Sequence, residues 1–444
     1  MRYDPLVLAE QTVPRYTSYP TAPHFNESVG AMHYAGWLSG LARDEGISIY
    51  LHIPFCKELC LYCGCHTKAA RRTDPVIQYV GALRREIGLL GRLLGRRSVT
   101  NIHWGGGTPS SAGDDQLLAV VADLARVFDL SDVREHAIEL DPRHVSPTLV
   151  AALARMGVNK ASFGVQDFSP HVQKAIGRIQ PFEMVEAAVR RVRDAGITTI
   201  NFDLMFGLPS QTIGDVRRTA EKAAGLRPSR ISLFGYAHVP WFKKQQRLID
   251  EAALPGAAER LAQFRAAQQV FLSSGYERVG LDHFALPEDE LVKAANRKRL
   301  RRNFQGYTTD DTQALIGIGA SAISRLPAGY AQNAVDAGTY SRAVQQDRLA
   351  VSRGFALSPA DRMRGEMIEK LMCDMELDLN RYRTAADDFE QEKTDLRAYA
   401  ATGLIRLADD VIRIEECGRD FVRLIASVFD AYRADSPARH SKAV

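Results

Sequence analysis

The stretch ISIYLHIPFCKELCLYCGC, residues 47–65, joins a run of seven apolar-rich residues to a loop that holds four of the chain's six cysteines. Cys56, Cys60, Cys63 and Cys65 are separated by three, two and one residues. A short apolar run of this length is typical of a buried strand. The sequence therefore predicts a strand that delivers a thiol-rich loop directly at its carboxyl end.

The same alternation of apolar run and amphipathic segment continues from about Ile47 to Leu281. Helical spacing is clear from Val76 to Leu94, from Gln116 to Phe128 and in PFEMVEAAVRRVRDAG, which ends at Gly196. Strand followed by helix, six times over, indicates parallel strands with right-handed crossovers. An open doubly wound sheet would fit as well, but we expect a partial (β/α)6 TIM-like barrel. Its strands are predicted at ISIYLHI, VTNIHW, HAIELD, KASFGV, TTINFDLMFG and RISLFGYA.

Three regions lie outside this barrel, which is predicted to span residues 47–285. Residues 1–46 form an N-terminal arm that includes the helix MHYAGWLSGLARDEG, and residues 286–354 form a connecting segment that completes the site. Residues 355–444 are expected to form a mainly helical, winged-helix-like domain. Its end is predicted as two strands around an Asp-Asp turn, followed by a helix carrying Phe421, Leu424 and Phe429.

Composition excludes several classes of protein. The chain has 444 residues, 45% of them hydrophobic, and a formal net charge of +4, which is small for this length. No apolar run reaches the roughly 20 residues of a membrane span, and the first residues make a poor secretory signal. We therefore expect a cytoplasmic protein without a disulfide framework. A nucleic-acid partner is not expected, because the basic stretch NRKRLRRNFQG lacks interleaved aromatic residues.

Polar residues follow every predicted strand at its carboxyl end, where parallel βα folds place their active sites. The cysteine loop follows the first strand and GGGTPS, from Gly105, follows the second. Glu139 ends the third strand, Gln166 ends the fourth and Asp203 lies in the fifth, and the sixth ends with Tyr236, Ala237 and His238. Glycines at 105–107 allow a ligand to approach the backbone closely. This convergence predicts one catalytic mouth.

The cysteine spacing favours an iron–sulfur cluster over zinc. Zinc sites usually combine separated CxxC pairs or add histidines, whereas soft thiolates in one loop suit iron and sulfur. Three cysteines would hold three irons of a [4Fe–4S] cube and leave the fourth iron open to a small molecule such as S-adenosylmethionine. Cys56, Cys60 and Cys63 are the expected ligands. Cys65 is then either an incidental loop thiol or a residue that lines the substrate cavity.

CxxxCxxC after a first strand, with GGGTP after the second, resembles the radical S-adenosylmethionine superfamily. Further stretches resemble the family of oxygen-independent coproporphyrinogen III oxidases: PRYTSYPTAPHF, ELDPR, FDLMFGLPSQT, RNFQGYTT and GIGASAIS. The resemblance covers most of the chain. It implies oxidation of two propionate side chains of coproporphyrinogen III to vinyl groups, which gives protoporphyrinogen IX in haem biosynthesis, by a 5′-deoxyadenosyl radical.

The resemblance also implies site residues. Those expected to contact S-adenosylmethionine, as one or two molecules, are Tyr50, Tyr62, Gly106, Gly107, Thr108, Glu139, Gln166, Arg178, Asp203, Ala237 and Ile323. Those expected at the substrate are Cys65, Tyr16, Glu139, Arg302, Phe304 and Gln305. The arm and the segment 303–307 are expected to close over the mouth.

An alternative function is that of a haem chaperone. A sister group within the superfamily keeps the cluster loop but lacks oxidase activity, has an aromatic residue two positions after the third cysteine and lacks the PRYTSYP arm. Cys65 and the arm of this chain favour the oxidase. The expected partners are coproporphyrinogen III and an electron donor such as a flavodoxin or ferredoxin, and a monomer is expected.

Overall fold

A twelve-stranded sheet organises the protein. The computed structural model describes residues 4–384 and 388–433 and, beyond them, Lys442. Within these residues the strands are β1 (Ile47–Ile53), β2 (Phe55–Cys56), β3 (Lys68–Ala69), β4 (Val99–Gly106), β5 (Glu135–Leu140), β6 (Lys160–Gln166), β7 (Thr199–Phe206), β8 (Arg230–Gly235), β9 (Glu277–Val279), β10 (His283–Ala285), β11 (Arg301–Asn303), β12 (Gly306–Thr308), β13 (Ala314–Ile318), β14 (Ile323–Leu326), β15 (Gly329–Asn333), β16 (Val351–Ala356), β17 (Glu376–Asp378), β18 (Ile405–Ala408) and β19 (Val411–Ile414).

Helices connect most of the strands of this sheet and cover the rest of the fold. In the described residues they are α1 (Pro5–Glu10), α2 (Ala31–Ser39), α3 (Asp74–Leu94), α4 (Asp114–Val127), α5 (Pro147–Arg155), α6 (Pro170–Ala175), α7 (Phe182–Asp194), α8 (Ile213–Gly225), α9 (Ala257–Ser273), α10 (Glu290–Asn296), α11 (Ala337–Gln345), α12 (Pro359–Asp374), α13 (Glu390–Ala400) and α14 (Val422–Ala426). No helix in the described ranges is both long and apolar enough to cross a bilayer.

The predicted α/β core is confirmed. Strands β1, β4, β5, β6, β7 and β8 are neighbours in that order, and each pair is parallel. Their side chains form a continuous buried core in which, for example, the rings of Phe163 and Phe202 meet edge to face at 6.2 Å. Because the strands are parallel, all six carboxyl ends reach the same edge of the sheet.

The segment 286–354 contributes more structure than the sequence predicted. Strand β13 pairs in parallel with β1, and β14, β15 and β16 continue the sheet in antiparallel fashion. The first strand of the barrel is therefore an inner strand of the sheet. The predicted boundary between residues 354 and 355 falls inside β16.

The C-terminal region contains the predicted hairpin, β18–β19, around Asp409 and Asp410, and β17 joins it as a third antiparallel strand. The predicted continuous helix through Phe421 and Phe429 is wrong. The α-helix in this stretch is limited to α14, which lies between two 3₁₀ turns at Glu416–Phe421 and Ser427–Phe429. Residues 420–427 are all buried, so packing on every side rather than an amphipathic pattern determines this segment.

Candidate active site

The cysteine loop lies at the carboxyl end of β1 and opens into a cavity of about 550 Å³. Cys56, Cys60 and Cys63 all line this cavity, which we call the cysteine cavity. Strand β2 pairs with β3 to close the loop on itself, and Leu61 N donates to Ile176 O at 3.0 Å to fasten its middle. The fold thus brings the three predicted ligands to one surface.

Hydrogen-bond donors surround the thiols. Thr108 Oγ1 donates to Cys56 Sγ at 3.5 Å, and the hydroxyl of Thr67 lies 3.3 Å from the same sulfur. Arg178 Nη1 and Arg143 Nη2 donate to Cys60 Sγ at 3.4 and 3.9 Å. Hydroxyl and guanidinium donors favour anionic sulfur, the form that ligates metals. This set of donors fits a group held by three thiolates.

Asp141 anchors both guanidinium groups. Arg143 Nη2 donates to its carboxylate at 2.7 Å and Arg178 Nη1 at 3.3 Å. Burial raises the pKa of Asp141, but hydrogen bonds from His144 and Arg143 and the charge of Arg178 outweigh it and bring the pKa well below its usual range. Asp141 therefore stays ionised and fixes both arginines beside Cys60.

A second loop, residues 243–246, holds the cysteine loop from the other side. Lys243 Nζ donates to Cys65 O at 2.8 Å, Gln245 Nε2 to Cys63 O at 2.7 Å and Gln246 Nε2 to Tyr62 O at 2.8 Å. Sequence reasoning missed these residues, because a polar run such as KKQQR is typical of a solvated loop. Only the fully buried state of Gln246 distinguishes it.

Replacing Gln246 with leucine is expected to loosen the cysteine loop. The change keeps the side-chain size but leaves the carbonyl of Tyr62 and the amide of Val239, which bonds to Gln246 Oε1, without their partner. Each such loss typically costs about 1–3 kcal/mol. Iron should therefore pass to a chelator about tenfold faster. The same change at exposed Gln269 on α9 is the control, and equal rates in the two variants would contradict the role of Gln246.

The end of β4 forms a tight glycine surface against the cysteine loop. Gly107 N donates to Ile53 O at 2.9 Å and Thr108 N to Phe55 O at 2.8 Å. Gly106 has φ of +115°, and a Cβ there would lie 2.8 Å from His52 Cε1 and 2.9 Å from Ile53 O. Only glycine fits this position without strain. Gly106 and Gly107 also line the cysteine cavity, so their backbone can meet a ligand there.

Acceptors for a polar ligand lie across this glycine surface. Glu139 Oε2 accepts from Gly106 N at 3.3 Å, and Oε1 lies 3.2 Å from His103 Nε2. Asp203 accepts from Ser162 Oγ at 3.0 Å and Asn201 Nδ2 at 2.9 Å. Burial and then the charge of Glu139 raise the pKa of Asp203.

Gln166 reaches the cavity through a distortion of β6. Its φ is +66°, and the register between β6 and β7 shifts between Gly164 and Gln166. A bulge of this kind turns a side chain out of the regular alternation.

A second cavity of about 860 Å³ adjoins the first, and we call it the adjoining cavity. Cys65, Gly106 and Glu139 line both. All the residues predicted to contact S-adenosylmethionine line one or the other. Tyr62, Gly106, Gly107, Thr108, Glu139, Gln166, Arg178, Asp203 and Ala237 line the cysteine cavity, and Tyr50 and Ile323 line the adjoining cavity.

The chain is similar to known proteins over nearly its full length. Residues 50–223 match the radical SAM superfamily. An oxygen-independent coproporphyrinogen III oxidase from Bradyrhizobium diazoefficiens is 44% identical over 440 residues, which cover 98% of each chain. The chain belongs to the oxygen-independent coproporphyrinogen III oxidase family. A member from Paracoccus denitrificans is 41% identical over 99% of this chain and 98% of its own.

The fold agrees with a solved structure of the same family. A coproporphyrinogen III oxidase from Escherichia coli, described as a radical SAM enzyme, superposes with a TM-score of 0.90 at 36% identity. The match covers 95% of this chain and 100% of that one. A [4Fe–4S] cluster and S-adenosylmethionine are the cofactors of this superfamily, and the three thiols with their donors fit the cluster.

The substrate residues predicted from the oxidase family are placed in two groups. Phe304 and Gln305, with Cys65, line the adjoining cavity. Among the described residues lining the two cavities, neither Tyr16 nor Arg302 is found. Tyr16 OH instead donates to Asp430 Oδ2 at 2.9 Å, and Arg302 lies in a smaller chamber beside the cysteine cavity. Their contact with substrate stays a prediction.

Cys65→Ser is expected to leave the cluster of this oxidase-family member in place. Cys65 is exposed and lines both cavities, whereas Cys56, Cys60 and Cys63 line the cysteine cavity but not the adjoining one. Iron and sulfide content and the visible spectrum should match those of the parent protein, while turnover falls. A loss of iron equal to that of Cys63→Ser would contradict the division into three ligands and one lining residue.

Proposed function

We propose that the protein converts two propionate side chains of coproporphyrinogen III to vinyl groups without oxygen, giving protoporphyrinogen IX. The observation that supports this proposal is one cavity lined by three thiols, by the glycines at the end of β4 and by the carboxylates of Glu139 and Asp203. The chain also matches oxidases of this name along nearly its full length. The large adjoining cavity provides the space that a tetrapyrrole needs.

Cys56, Cys60 and Cys63 would hold the [4Fe–4S] cluster, and Gly106 and Gly107 would let S-adenosylmethionine approach their backbone. Together these groups would supply the one-electron chemistry that removes a hydrogen atom from the substrate. For each propionate, one hydrogen atom leaves the β-carbon, carbon dioxide leaves the side chain and one electron passes to an acceptor. The carbon–carbon double bond of the vinyl group remains.

The residues of the chain bind, orient and shield. Glu139 and Asp203 can accept from the ribose hydroxyls or the ammonium group of S-adenosylmethionine, and Arg178 can pair with its carboxylate. Phe304 and Gln305 lie where a tetrapyrrole ring would sit. Thr17, Ala22 and Pro23 of the N-terminal arm line the adjoining cavity and help to exclude water from it.

The same proposal includes the location, the oligomeric state and the electron donor of the protein. The protein acts in the cytoplasm as a monomer and takes electrons from a flavodoxin or ferredoxin. Exposed Lys57 in the cysteine loop, with exposed Lys244 and Arg247 in the neighbouring loop, offers a basic surface to an acidic donor of this kind. A second S-adenosylmethionine would use Tyr50 and Ile323 in the adjoining cavity.

Anaerobic turnover tests the proposal. Protein with a reconstituted cluster is incubated with coproporphyrinogen III, S-adenosylmethionine and a reductant, and the tetrapyrroles are oxidised and weighed by mass spectrometry. We expect two successive losses, each of carbon dioxide and two hydrogens, with 5′-deoxyadenosine formed in step. Stable uptake of haem without any such loss would overturn the proposal in favour of a haem chaperone.

A further inference from the structure

Arg353, in the edge strand β16, is the one permanent cation among the described residues that line the adjoining cavity. His52 and His66 also line it, but burial lowers the pKa of His52. Burial first, and then nearby positive charges, from Lys243 before Arg353, lower the pKa of His66 to about 4. Both imidazoles therefore stay uncharged at neutral pH. An anion that enters this cavity meets one fixed positive charge, that of Arg353.

A row of residues across three strands places Arg353. Ile323 on β14 is the register partner of Gln332 on β15, and Gln332 is the register partner of Arg353 on β16. Side chains at paired positions of neighbouring strands lie on the same face of a sheet. All three residues line the adjoining cavity. The antiparallel strands that follow β13 thus carry a cation to the cavity that the strands of the predicted barrel leave open.

Gln332 fixes the guanidinium of Arg353 at one edge. Arg353 Nε donates to Gln332 Oε1 at 2.7 Å, and Gln332 Nε2 donates to Ser321 O at 3.0 Å. The second bond determines which end of the buried Gln332 amide faces Arg353. Within the described ranges, Nη1 and Nη2 of Arg353 have neither a hydrogen-bond nor an ion-pair partner. The half-buried guanidinium therefore keeps two donor nitrogens for a ligand.

Glu139, the one carboxylate among the described lining residues, does not neutralise Arg353. Its strand, β5, is six positions away from β16 in the sheet order. Glu139 Oε2 instead accepts from Gly106 N at 3.3 Å, and Oε1 lies 3.2 Å from His103 Nε2. The adjoining cavity thus has separate negative and positive sides. Such an arrangement repels a substrate carboxylate from Glu139 and attracts it to Arg353.

We propose that Arg353 binds the carboxylate of a propionate that is not being converted in that turnover, while the converted propionate reaches the cysteine cavity. The inference rests on the proposed function and deepens it. Coproporphyrinogen III carries four propionates, so three carboxylates need a place while one side chain reacts. Nη1 and Nη2 of a guanidinium match the two oxygens of a carboxylate.

The neighbouring aromatic side chains suit the rest of this substrate. Phe304 lines the adjoining cavity with Arg353, and Phe242 lines both cavities. Their rings offer flat apolar surface to a macrocycle. A propionate held at Arg353 then restricts how the macrocycle can turn, and so determines which side chain faces the three thiols.

Equilibrium binding tests the proposal without turnover. Cluster-loaded protein is titrated by fluorescence with coproporphyrin III, the unreactive oxidised form of the substrate, and with its uncharged tetraamide. Arg353→Gln should weaken binding of the acid about tenfold or more and that of the tetraamide less than twofold. Arg353→Lys keeps the charge but loses the fork, and should weaken binding of the acid only about threefold. Arg348→Gln, which removes an exposed charge that lines neither cavity, should change neither affinity.

Three results would overturn Arg353 as a propionate-binding residue: unchanged binding of the acid, equal weakening of acid and tetraamide, or weaker binding of S-adenosylmethionine in place of the acid. Melting temperature and iron content are measured first, and Arg353→Lys decides the case if Arg353→Gln does not fold. Failure of the parent protein to decarboxylate coproporphyrinogen III, with this dependence on Arg353 intact, would overturn the proposed function and leave the binding site standing.

Discussion

Cys56→Ala is expected to abolish 5′-deoxyadenosine formation, with a loss of at least about a thousandfold even under strong reductant. Three thiolates leave a cubane cluster attached with one iron open, and Cys56 is the proposed ligand whose sulfur Thr108 and Thr67 contact. Two thiolates cannot retain the cluster, so bound iron should fall to background as well.

Cys417→Ala is the matched control for this loss. Cys417 is exposed to solvent and lies in the C-terminal region, and its sulfur contacts only the carbonyl of Gly403 among the bonds described for it. Its removal should leave iron content and cleavage rate unchanged. Normal 5′-deoxyadenosine formation by Cys56→Ala would remove Cys56 from the ligand set and with it the assignment of the loop.

Gly106→Ala is expected to produce the second largest effect, a fall of at least about a hundredfold in cleavage of S-adenosylmethionine. The new Cβ would press on His52 and on the carbonyl of Ile53, and the residue would have to keep φ of +115°. Such strain typically costs about 1–3 kcal/mol, so the backbone should shift out of the position that a ligand needs. The apparent KM for S-adenosylmethionine should rise while iron content stays near normal.

Gly113→Ala separates backbone strain from contact. Gly113 also has positive φ, +89°, but a Cβ there would meet nothing within 4 Å. This variant should lose stability without losing the ability to cleave S-adenosylmethionine. Equal loss of cleavage by both variants would mean that strain alone, and not the closeness of Gly106 to the cysteine loop, explains the requirement for glycine.

The six parallel strands could be predicted because each is a short apolar run with an amphipathic helix beside it. The same regularity predicted the site, since parallel strands bring Glu139, Gln166 and Asp203 to one edge of the sheet. Residues tied to strand ends or to the cysteine and glycine motifs accordingly line the two cavities.

Strands β13–β16 could not be predicted in the same way. All of β13 is buried, but it contains Ala314 and Gly317, which favour a strand only weakly. Gly317 is needed because a Cβ there would lie 2.6 Å from Ile323 O on the neighbouring strand. Strand β13 depends on pairing with β1, more than 260 residues earlier in the chain. A local sequence pattern cannot predict so distant a partner.

Tyr16 and Arg302 show a related limit at the site. Neither is attached to a strand end of the barrel, so their placement depends on how the arm and the β11–β12 hairpin pack. The sequence predicted a substrate contact for Arg302 but could not predict that Arg15, Arg260 and Arg423 would lie beside it, because these come from segments far apart in the chain.

The hydrogen bond from Tyr16 to Asp430 spans 414 positions and has a consequence for synthesis of the protein. During translation the cysteine loop leaves the ribosome more than 360 residues before Asp430, the partner that holds the arm in place. A nascent chain can therefore expose its thiols to oxygen while those residues are made. A cluster loaded before the chain leaves the ribosome would not yet be shielded by the N-terminal arm.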